Sequence, residues 1–316
     1  MPFDLQSANK IYLAGHRGMV GRAIHRELDA RGLADRVITR THAELDLTRQ
    51  ADVDAFFDLE QPDVVILAAA KVGGILANQE APATFLYDNL AIGSHVIHAA
   101  HRTNVRKLVN LGSSCIYPRE APQPMPETAL LTGPLEATNR AYAVAKIAAI
   151  ELCDAYRVQH GRDFVSAMPT NLYGPFDNFD LQSSHVLPAL MRKAHEAKQN
   201  GDATLPVWGS GRPKREFLHV DDVASAVLFI LEHVSVPGPI NVGSGVDLSI
   251  RELAETVADV VGFEGNLEFD PSKPDGTPRK LMDVSKLAEL GWTAKVPLRE
   301  GIKRTYAWYL ENEATR

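Results

Sequence analysis

The sequence predicts an α/β protein built on a doubly wound parallel sheet, with a smaller α/β lobe toward the C-terminus. Three features carry this. Short unbroken apolar runs recur through the first half, as strands covered on both faces require. Longer stretches of helical periodicity separate them, the alternation that builds a parallel sheet. Three glycines stand between the first run and the first helical stretch. The right-handed crossover rule then makes a Rossmann-like arrangement the default.

The strands in order are Ile11–Ala14, Val37–Ile38, Val64–Ala68, Leu108–Leu111 and Phe164–Met168. Helical patterns lie between them near Met19–Arg31, Asp52–Glu60, Ala83–Arg102 and Asn139–His160. After about Pro169 the regularity fades. Helices are still expected at Val186–Lys198, Val223–His233, Ile250–Val261 and Leu298–Asn312. Gly/Pro-containing loops separate these, notably Gly209–Pro213, Pro237–Pro239 and Asp270–Pro278. We therefore expect a nucleotide-binding domain over 1–170, to which parts of 171–250 return. The rest of 171–316 is expected to form the smaller lobe. Ligands in open α/β sheets bind beyond the carboxyl ends of the strands, where such a lobe would close over them. The segment Pro118–Pro134 holds five prolines. Its composition fits a functional loop and a plain connection equally.

The 316 residues suffice for a large core, with 45% hydrophobic and 23% charged residues in the ordinary globular range. Net charge is −7 and no basic block stands out, which gives nucleic-acid binding little electrostatic support. The longest apolar runs, Val64–Ala70 and Val223–Leu231, fall far short of the roughly 20 residues that span a bilayer. Met1–Lys10 lacks an apolar signal core. Cys115 and Cys153 have no metal-ligand spacing, and two isolated cysteines fit a reducing cytoplasm.

The run Ile11-Tyr-Leu-Ala-Gly15-His-Arg-Gly18-Met-Val-Gly21 places a glycine triplet between strand and helix. That context suits a dinucleotide pyrophosphate, which meets backbone amides at a tight turn and a helix N-terminus. The spacing is G-x-x-G-x-x-G. A ribose-binding acid is expected after the second strand if the cofactor is NAD. Arg40 stands there instead, with Arg17 in the glycine turn, which favours the 2′-phosphate of NADP. A solvated surface arginine is the plainer reading of Arg40. Asp46 is placed to accept from an adenine amino group.

Tyr142 and Lys146 are four apart in a helical pattern and so share one helix face. A neighbouring ammonium lowers the pKa of a phenol toward use as an acid–base group. Gly112-Ser113-Ser114-Cys115 follows a predicted strand, and a serine there can hydrogen-bond a reacting carbonyl.

The glycine turn, this serine segment and the Tyr142/Lys146 pair resemble the extended short-chain dehydrogenase/reductase superfamily. Longer runs narrow the resemblance to the GDP-L-fucose synthases, across nearly the whole chain. They are Ala14–Gly21, Ala68–Ile75, Leu111–Pro118, Pro169–Pro175 and Lys273–Lys280. The resemblance implies an NADPH-dependent epimerase–reductase that inverts C3 and C5 of GDP-4-keto-6-deoxy-D-mannose and reduces its C4 ketone. It puts Cys115 and His185 in the proton-transfer roles. Tyr142 becomes the proton donor to the C4 oxygen, tuned by Lys146, and Ser113 hydrogen-bonds that oxygen. The dinucleotide is expected against Gly15, His16, Arg17, Gly18, Met19, Val20 and Gly21, then Arg40, His42, Asp46 and Leu47. It continues along Leu111, Gly112, Ser113 and Ser114, Lys146, Pro169, Thr170, Asn171 and Leu172, and His185. The GDP-sugar is expected at Lys193, Trp208, Arg215 and Asp275. A homodimer through two helices per subunit, one of them bearing Tyr142, follows by the same resemblance. The family pattern often has arginine at the position of His42, where histidine holds a phosphate more weakly and with pH dependence.

Each assignment has a plainer counterpart. Cys115 reads also as a small buried hydrophobe, His185 as a helix cap, Trp208 as a core residue. Asn171 is placed for the substrate or for the nicotinamide region. His95, His98 and His101 read as solvated helix positions, and His195-Glu196 lacks the second histidine of a zinc-protease motif, so no metal is expected. In Arg215–Asp222 only Arg215 is expected to touch substrate. Three rival functions remain: a sugar-nucleotide 4,6-dehydratase, a simple 4-reductase and a dinucleotide sensor. Cys115-Ile-Tyr117 stands where a dehydratase has its acidic pair, a reductase needs neither Cys115 nor His185, and sensors commonly lose Tyr142 or Lys146.

Overall fold

A computed structural model describes residues 3–273 and 275–312, apart from the side chains of residues 75 and 76. Pro274 of the Lys273–Lys280 run and the Ile75 side chain of the Ala68–Ile75 run thus lie outside the described residues. The first half runs β1 (Ile11–Ala14), α1 (Met19–Ala30), β2 (Val37–Ile38), α2 (Gln50–Glu60), β3 (Val64–Leu67), α3 (Ile75–Glu80), α4 (Pro82–Arg102), β4 (Lys107–Leu111), α5 (Arg140–His160) and β5 (Phe164–Pro169). The second half runs β6 (Asn171–Tyr173), α6 (Val186–Asn200), β7 (Thr204–Trp208), β8 (Lys214–His219), α7 (Val220–His233) and β9 (Pro239–Val242). It ends with β10 (Asp247–Ser249), α8 (Ile250–Val261), β11 (Asn266–Asp270), β12 (Arg279–Lys280), α9 (Ser285–Glu289) and α10 (Leu298–Asn312).

Every predicted strand and helix is present. The largest shift of an end is at α7, which begins at Val220. The reason is local: the His219 imidazole accepts from the Asp221 N–H and so caps the helix a turn earlier than apolar periodicity suggests.

The main sheet has six parallel strands in the order β2-β1-β3-β4-β5-β9. The strand order reverses at β1, so the crevice opens between the loops that follow β1 and β3. One face packs α1 and α7 through Ile24, Leu28, Val223, Val227 and Leu231. The other packs α2, α4 and α5 through Phe56, Phe57, Val96, Ile97 and Cys153. Because both faces are covered, β1, β3, β4 and β5 are buried at every residue.

The second half holds strands that apolar runs do not reveal. β7 alternates exposed and buried residues, and β10 and β12 are only half-buried. β8 pairs with β6 and β12 in parallel and with β10 antiparallel, while β7 pairs with β11. These strands and α6, α8 and α10 enclose a second core of Leu187, Leu190, Met191, Leu253, Val257 and Ile302.

A buried carboxylate locks this region together. Glu216 on β8 is 0% exposed. Its Oε1 accepts from the Gly245 N–H at 2.7 Å and its Oε2 from the Met282 N–H at 3.1 Å. Its backbone carbonyl accepts from Asn171 Nδ2 at 2.8 Å. One side chain therefore pins β8, the turn after β9 and the segment after β12. Burial raises its pKa, and the donated N–H groups partly offset that. Glu216→Ala leaves those donors without their acceptor, and we expect a loss of about 3 kcal/mol in urea unfolding. An unchanged unfolding midpoint would contradict this role for Glu216.

Candidate active site

The turn after β1 is shaped for close approach. Gly15 has φ +87°, and a Cβ there would lie 2.6 Å from the Ala69 nitrogen. A Cβ on Gly21 would collide with the Gly15 carbonyl. Glycine at these two places lets α1 begin directly over the strand end. Gly18 is the N-cap of α1 without a side-chain cap, so the N–H groups of Met19, Val20 and Gly21 face the crevice as the unpaired first donors of a helix. His16 Nδ1 is buried there with no hydrogen-bond partner. Its pKa is lowered, by burial first and then by Arg17. The cradle and this orphaned nitrogen fit a bound dinucleotide pyrophosphate.

Beyond β2, Arg40 is already engaged. Its guanidinium meets Glu60 at 2.6 Å and lies over the Phe56 ring. It is thus neither a solvated arginine nor an unpaired cation. His42 and Arg17 are exposed at the same edge. Asp46 accepts from Thr48 through both N–H and hydroxyl, which lowers its pKa and forms a turn that presents buried Leu47.

At the end of β4 the reactive groups converge. Ser113 Oγ accepts from the Cys115 N–H at 3.4 Å and lies close enough to the Cys115 thiol and the Tyr142 phenol to lower the pKa of each. Lys146 Nζ donates to the Leu111 carbonyl at 2.8 Å and lies 5.8 Å from the Tyr142 ring centre. Burial brings the Lys146 pKa down to about 8. Burial pushes the Tyr142 phenol well above its usual range, the nearby Cys115 adds to this, and Ser113 opposes it. The expected lowering of Tyr142 by Lys146 is not found: burial dominates, and the opposing pull comes from Ser113. Cys115 is 6% exposed, and burial raises its pKa against the pull of Lys280, Ser113 and Lys146. Gly112 and Ser114 are buried beside it.

A chain of contacts leads from Tyr142 to the segment that precedes His185. The segment after β3 is folded down by Asn78, which donates to the Gly73 and Gly74 carbonyls, and by Asn89, which bonds both ways with Lys71. Gly74 then donates its N–H to the Ser183 carbonyl at 3.3 Å. Phe85, beside Gly73, meets Tyr142 edge-on with ring centres 6.4 Å apart. His185 is the N-cap residue of α6 by backbone, but its side chain makes no capping hydrogen bond. The imidazole has exposed surface, yet surrounding protein atoms desolvate it enough to lower its pKa.

Pro169 ends β5, and Leu172 lies on β6. Thr170 and Asn171 between them donate to the Glu216 carbonyl, so their side chains serve the lobe junction. In the second lobe Trp208 is 53% exposed, which rules out a core role. Lys193 and Lys273 lie over its ring at 5.0 and 5.4 Å. Asp275 accepts from the Ser210 N–H at 2.6 Å, which lowers its pKa, and it interacts electrostatically with Arg215. Burial lowers the pKa of Lys193 and of Arg215. Sequence reasoning missed Lys280 and Lys273. Both lie in a run that the resemblance already marked, but nothing local showed that Lys280 pairs opposite Arg215 and lines a small cavity with Cys115.

The α4 histidines are less solvated than expected. His95 bonds the Leu47 carbonyl, His98 bonds the Tyr156 hydroxyl, and His101 stacks on Tyr156 and receives Arg162. His195 bonds the Tyr306 hydroxyl within the second core. Across Arg215–Asp222, Glu216, His219 and Asp222 serve structure, the last by accepting the Lys295 and Val296 N–H groups.

Comparison with known proteins fits this geometry. The model of the NAD dependent epimerase/dehydratase family matches residues 11–243. GDP-L-fucose synthase 1 of Arabidopsis thaliana is 62% identical over 307 residues, covering 97% of this chain and 95% of that protein. GDP-L-fucose synthase of Escherichia coli K12 is 54% identical, covering 97% and 98%. The crystal structure of a GDP-L-fucose synthetase from Naegleria fowleri bound to NADP superposes with a TM-score of 0.90, at 31% identity, covering 99% and 98% of the two chains.

The low Lys146 pKa gives a pH test. With a pKa of about 8 the ammonium is present below that pH and lost above it. Binding of NADPH, followed by fluorescence, is expected to weaken as pH rises through about 8. Lys146→Arg, which keeps its proton, is expected to bind without that alkaline limb. A wild-type profile flat to pH 9.5 would contradict the assignment.

Proposed function

The chain belongs to the NAD dependent epimerase/dehydratase family, and we propose on that basis that it works as a GDP-L-fucose synthase. It is an enzyme that epimerises GDP-4-keto-6-deoxy-D-mannose at C3 and C5 and reduces C4 with NADPH. The observation that carries this is the cluster of Ser113, Cys115, Tyr142 and Lys146, with the serine hydroxyl beside both the thiol and the phenol. A 4-reductase uses the last two groups and has no need of the thiol.

The substrate's C3 and C5 both flank the C4 ketone, so the electron pair of either C–H bond can pass to the C4 oxygen as an enolate. Ser113 is placed to hydrogen-bond that oxygen. Inversion requires a base on one face of the carbon and an acid on the other. Burial favours neutral Cys115 and neutral His185. Together these hold one exchangeable proton, which is what an acid–base pair needs. Once the stereochemistry is set, Tyr142 gives its proton to the C4 oxygen, and its raised pKa keeps that proton in place until then. NADPH, held by the Gly15–Gly21 turn, Arg17, Arg40, His42, Asp46, Leu47, Leu111–Ser114, Lys146, Pro169–Leu172 and His185, supplies the hydride when bound. Lys146 is placed to orient its ribose.

The GDP moiety is assigned to Lys193, Trp208, Arg215 and Asp275. The cations suit a diphosphate, and the exposed indole suits stacking. We assign dinucleotide binding to 1–170 with the part of 171–250 that includes α7 and β9, and the GDP-sugar to the remainder of 171–316. We also propose a homodimer through α4 and α5, supported by exposed Tyr87, Val144 and Val158 on those helices. Among the described residues no helix is long and apolar enough to cross a membrane. A cytoplasmic setting is proposed, supported by two free cysteines.

NADPH absorbance is expected to fall on addition of GDP-4-keto-6-deoxy-D-mannose. Tight dinucleotide binding without oxidation would favour a sensor instead. Cys115→Ser and His185→Ala are each expected to slow solvent-deuterium exchange into C3 and C5 by about 10²-fold or more. Wild-type exchange in both variants would sink the epimerase reading.

A further inference from the structure

We propose that Lys280 is the charge partner of Cys115, a positioning residue that holds its thiolate form within reach, and that the proline-rich segment 118–134 is the bracket that holds Lys280 in place. This rests on the proton-transfer role proposed above for Cys115. Cys115 and Lys280 line the same narrow cavity, together with Arg119, Glu136 and Arg279. A buried thiolate is costly unless a cation lies nearby.

The other charges at this cavity are already committed. Arg279 pairs with Asp247 at 2.6 Å. Arg119 lies within ion-pair distance of Glu120 and Glu136, and Glu136 also accepts from Thr138. Among the described residues no carboxylate forms an ion pair with Lys280. Its strand partner is Arg215, a like charge that gives no compensation. Cys115 thus faces Lys280 and Arg279 from β12, Lys146 and Tyr142 from α5, and Arg119 and Glu136 from the loop. Of the cations, Lys146 is already donating to Leu111. Lys280 is the largest single opposing charge acting on the thiol.

A two-residue strand does not fix a lysine by itself. The chain beyond Lys280 is held by the proline-rich segment: Leu281 donates its N–H to Gln123 Oε1 at 2.8 Å, and Met125 donates its N–H to the Leu281 carbonyl at 2.8 Å. Asp283 returns its N–H to the Met125 carbonyl at 2.9 Å. Met125, Ala121 and Ala129 pack with Met282, Ile147 and Ile150 in a core of their own. Each proline removes one backbone donor from this segment, and other N–H groups are paired, Arg119 to the Pro134 carbonyl and Ala129 to the Pro126 carbonyl. The segment of ambiguous composition is therefore an ordered clamp between α5 and Lys280.

The test is the pH dependence of iodoacetamide alkylation of Cys115 in the full-length protein, separated from Cys153 by peptide mass spectrometry. Lys280→Met is expected to move the alkylation midpoint up by about one pH unit or more, and to slow deuterium exchange into C3 and C5 by about tenfold. Lys280→Arg is expected to keep a midpoint near wild type. Gln123→Ala, which removes the clamp bond but keeps the charge, is expected to raise the midpoint by a smaller amount. An unchanged midpoint in Lys280→Met, or equal shifts in Lys280→Met and Lys280→Arg, overturns the charge pairing. An unchanged midpoint in Gln123→Ala overturns the bracket. Wild-type exchange in Cys115→Ser would instead sink the role of Cys115 while the alkylation shift stood.

Discussion

The site depends first on one hydrogen bond between a helix and a strand end. Lys146 is 6% exposed, and its ammonium donates to the Leu111 carbonyl, the last residue of β4. A buried ammonium without an acceptor would cost several kcal/mol, so this bond sets the rotation of α5 against the sheet. Tyr142, one turn earlier on the same face, is then turned toward Ser113. The serine in turn reaches Cys115. Ser113, Cys115, Tyr142 and Lys146 are gathered at one place because a single cation must find a single carbonyl.

The second constraint is the Glu216 carboxylate, which decides where the smaller lobe sits. By accepting from the turn after β9 and from Met282, it sets β8 and β12 side by side. Arg215 and Lys280 are then brought opposite each other at the edge nearest Cys115. On the proposed assignments, the lobe supplies cations both to a nucleotide diphosphate and to the thiol. Two chemistries share this space because their demands differ. Hydride transfer needs a phenol that keeps its proton, and epimerisation needs a thiol and an imidazole that exchange one.

The sequence made the first half legible because its strands are buried on both faces. Ile11–Ala14 and Val64–Leu67 read as unbroken apolar runs and occupy their predicted places. The second half hid its strands because they are short and half-solvated, as in Thr204–Trp208, where only alternate residues are buried. Tyr142 and Lys146 were legible from helix spacing, since four residues apart means one face. Their electrostatics were not, because the desolvation that dominates both groups depends on burial. Trp208 looked as suited to a core as to a ligand, and only exposure decides between them. The meeting of Lys280 with Cys115 depends on a strand register and a clamp loop far apart in the chain. No local pattern encodes that.

Catalysis of two reactions by one site is tested most directly in the product itself. The reaction is run in D₂O with unlabelled NADPH, and the product sugar is examined by proton NMR. A site that performs both reactions leaves deuterium at both C3 and C5, and at C4 the hydrogen carried by NADPH. Protium retained at C3 and C5, with C4 reduced, would show a simple reductase and contradict the two-reaction site.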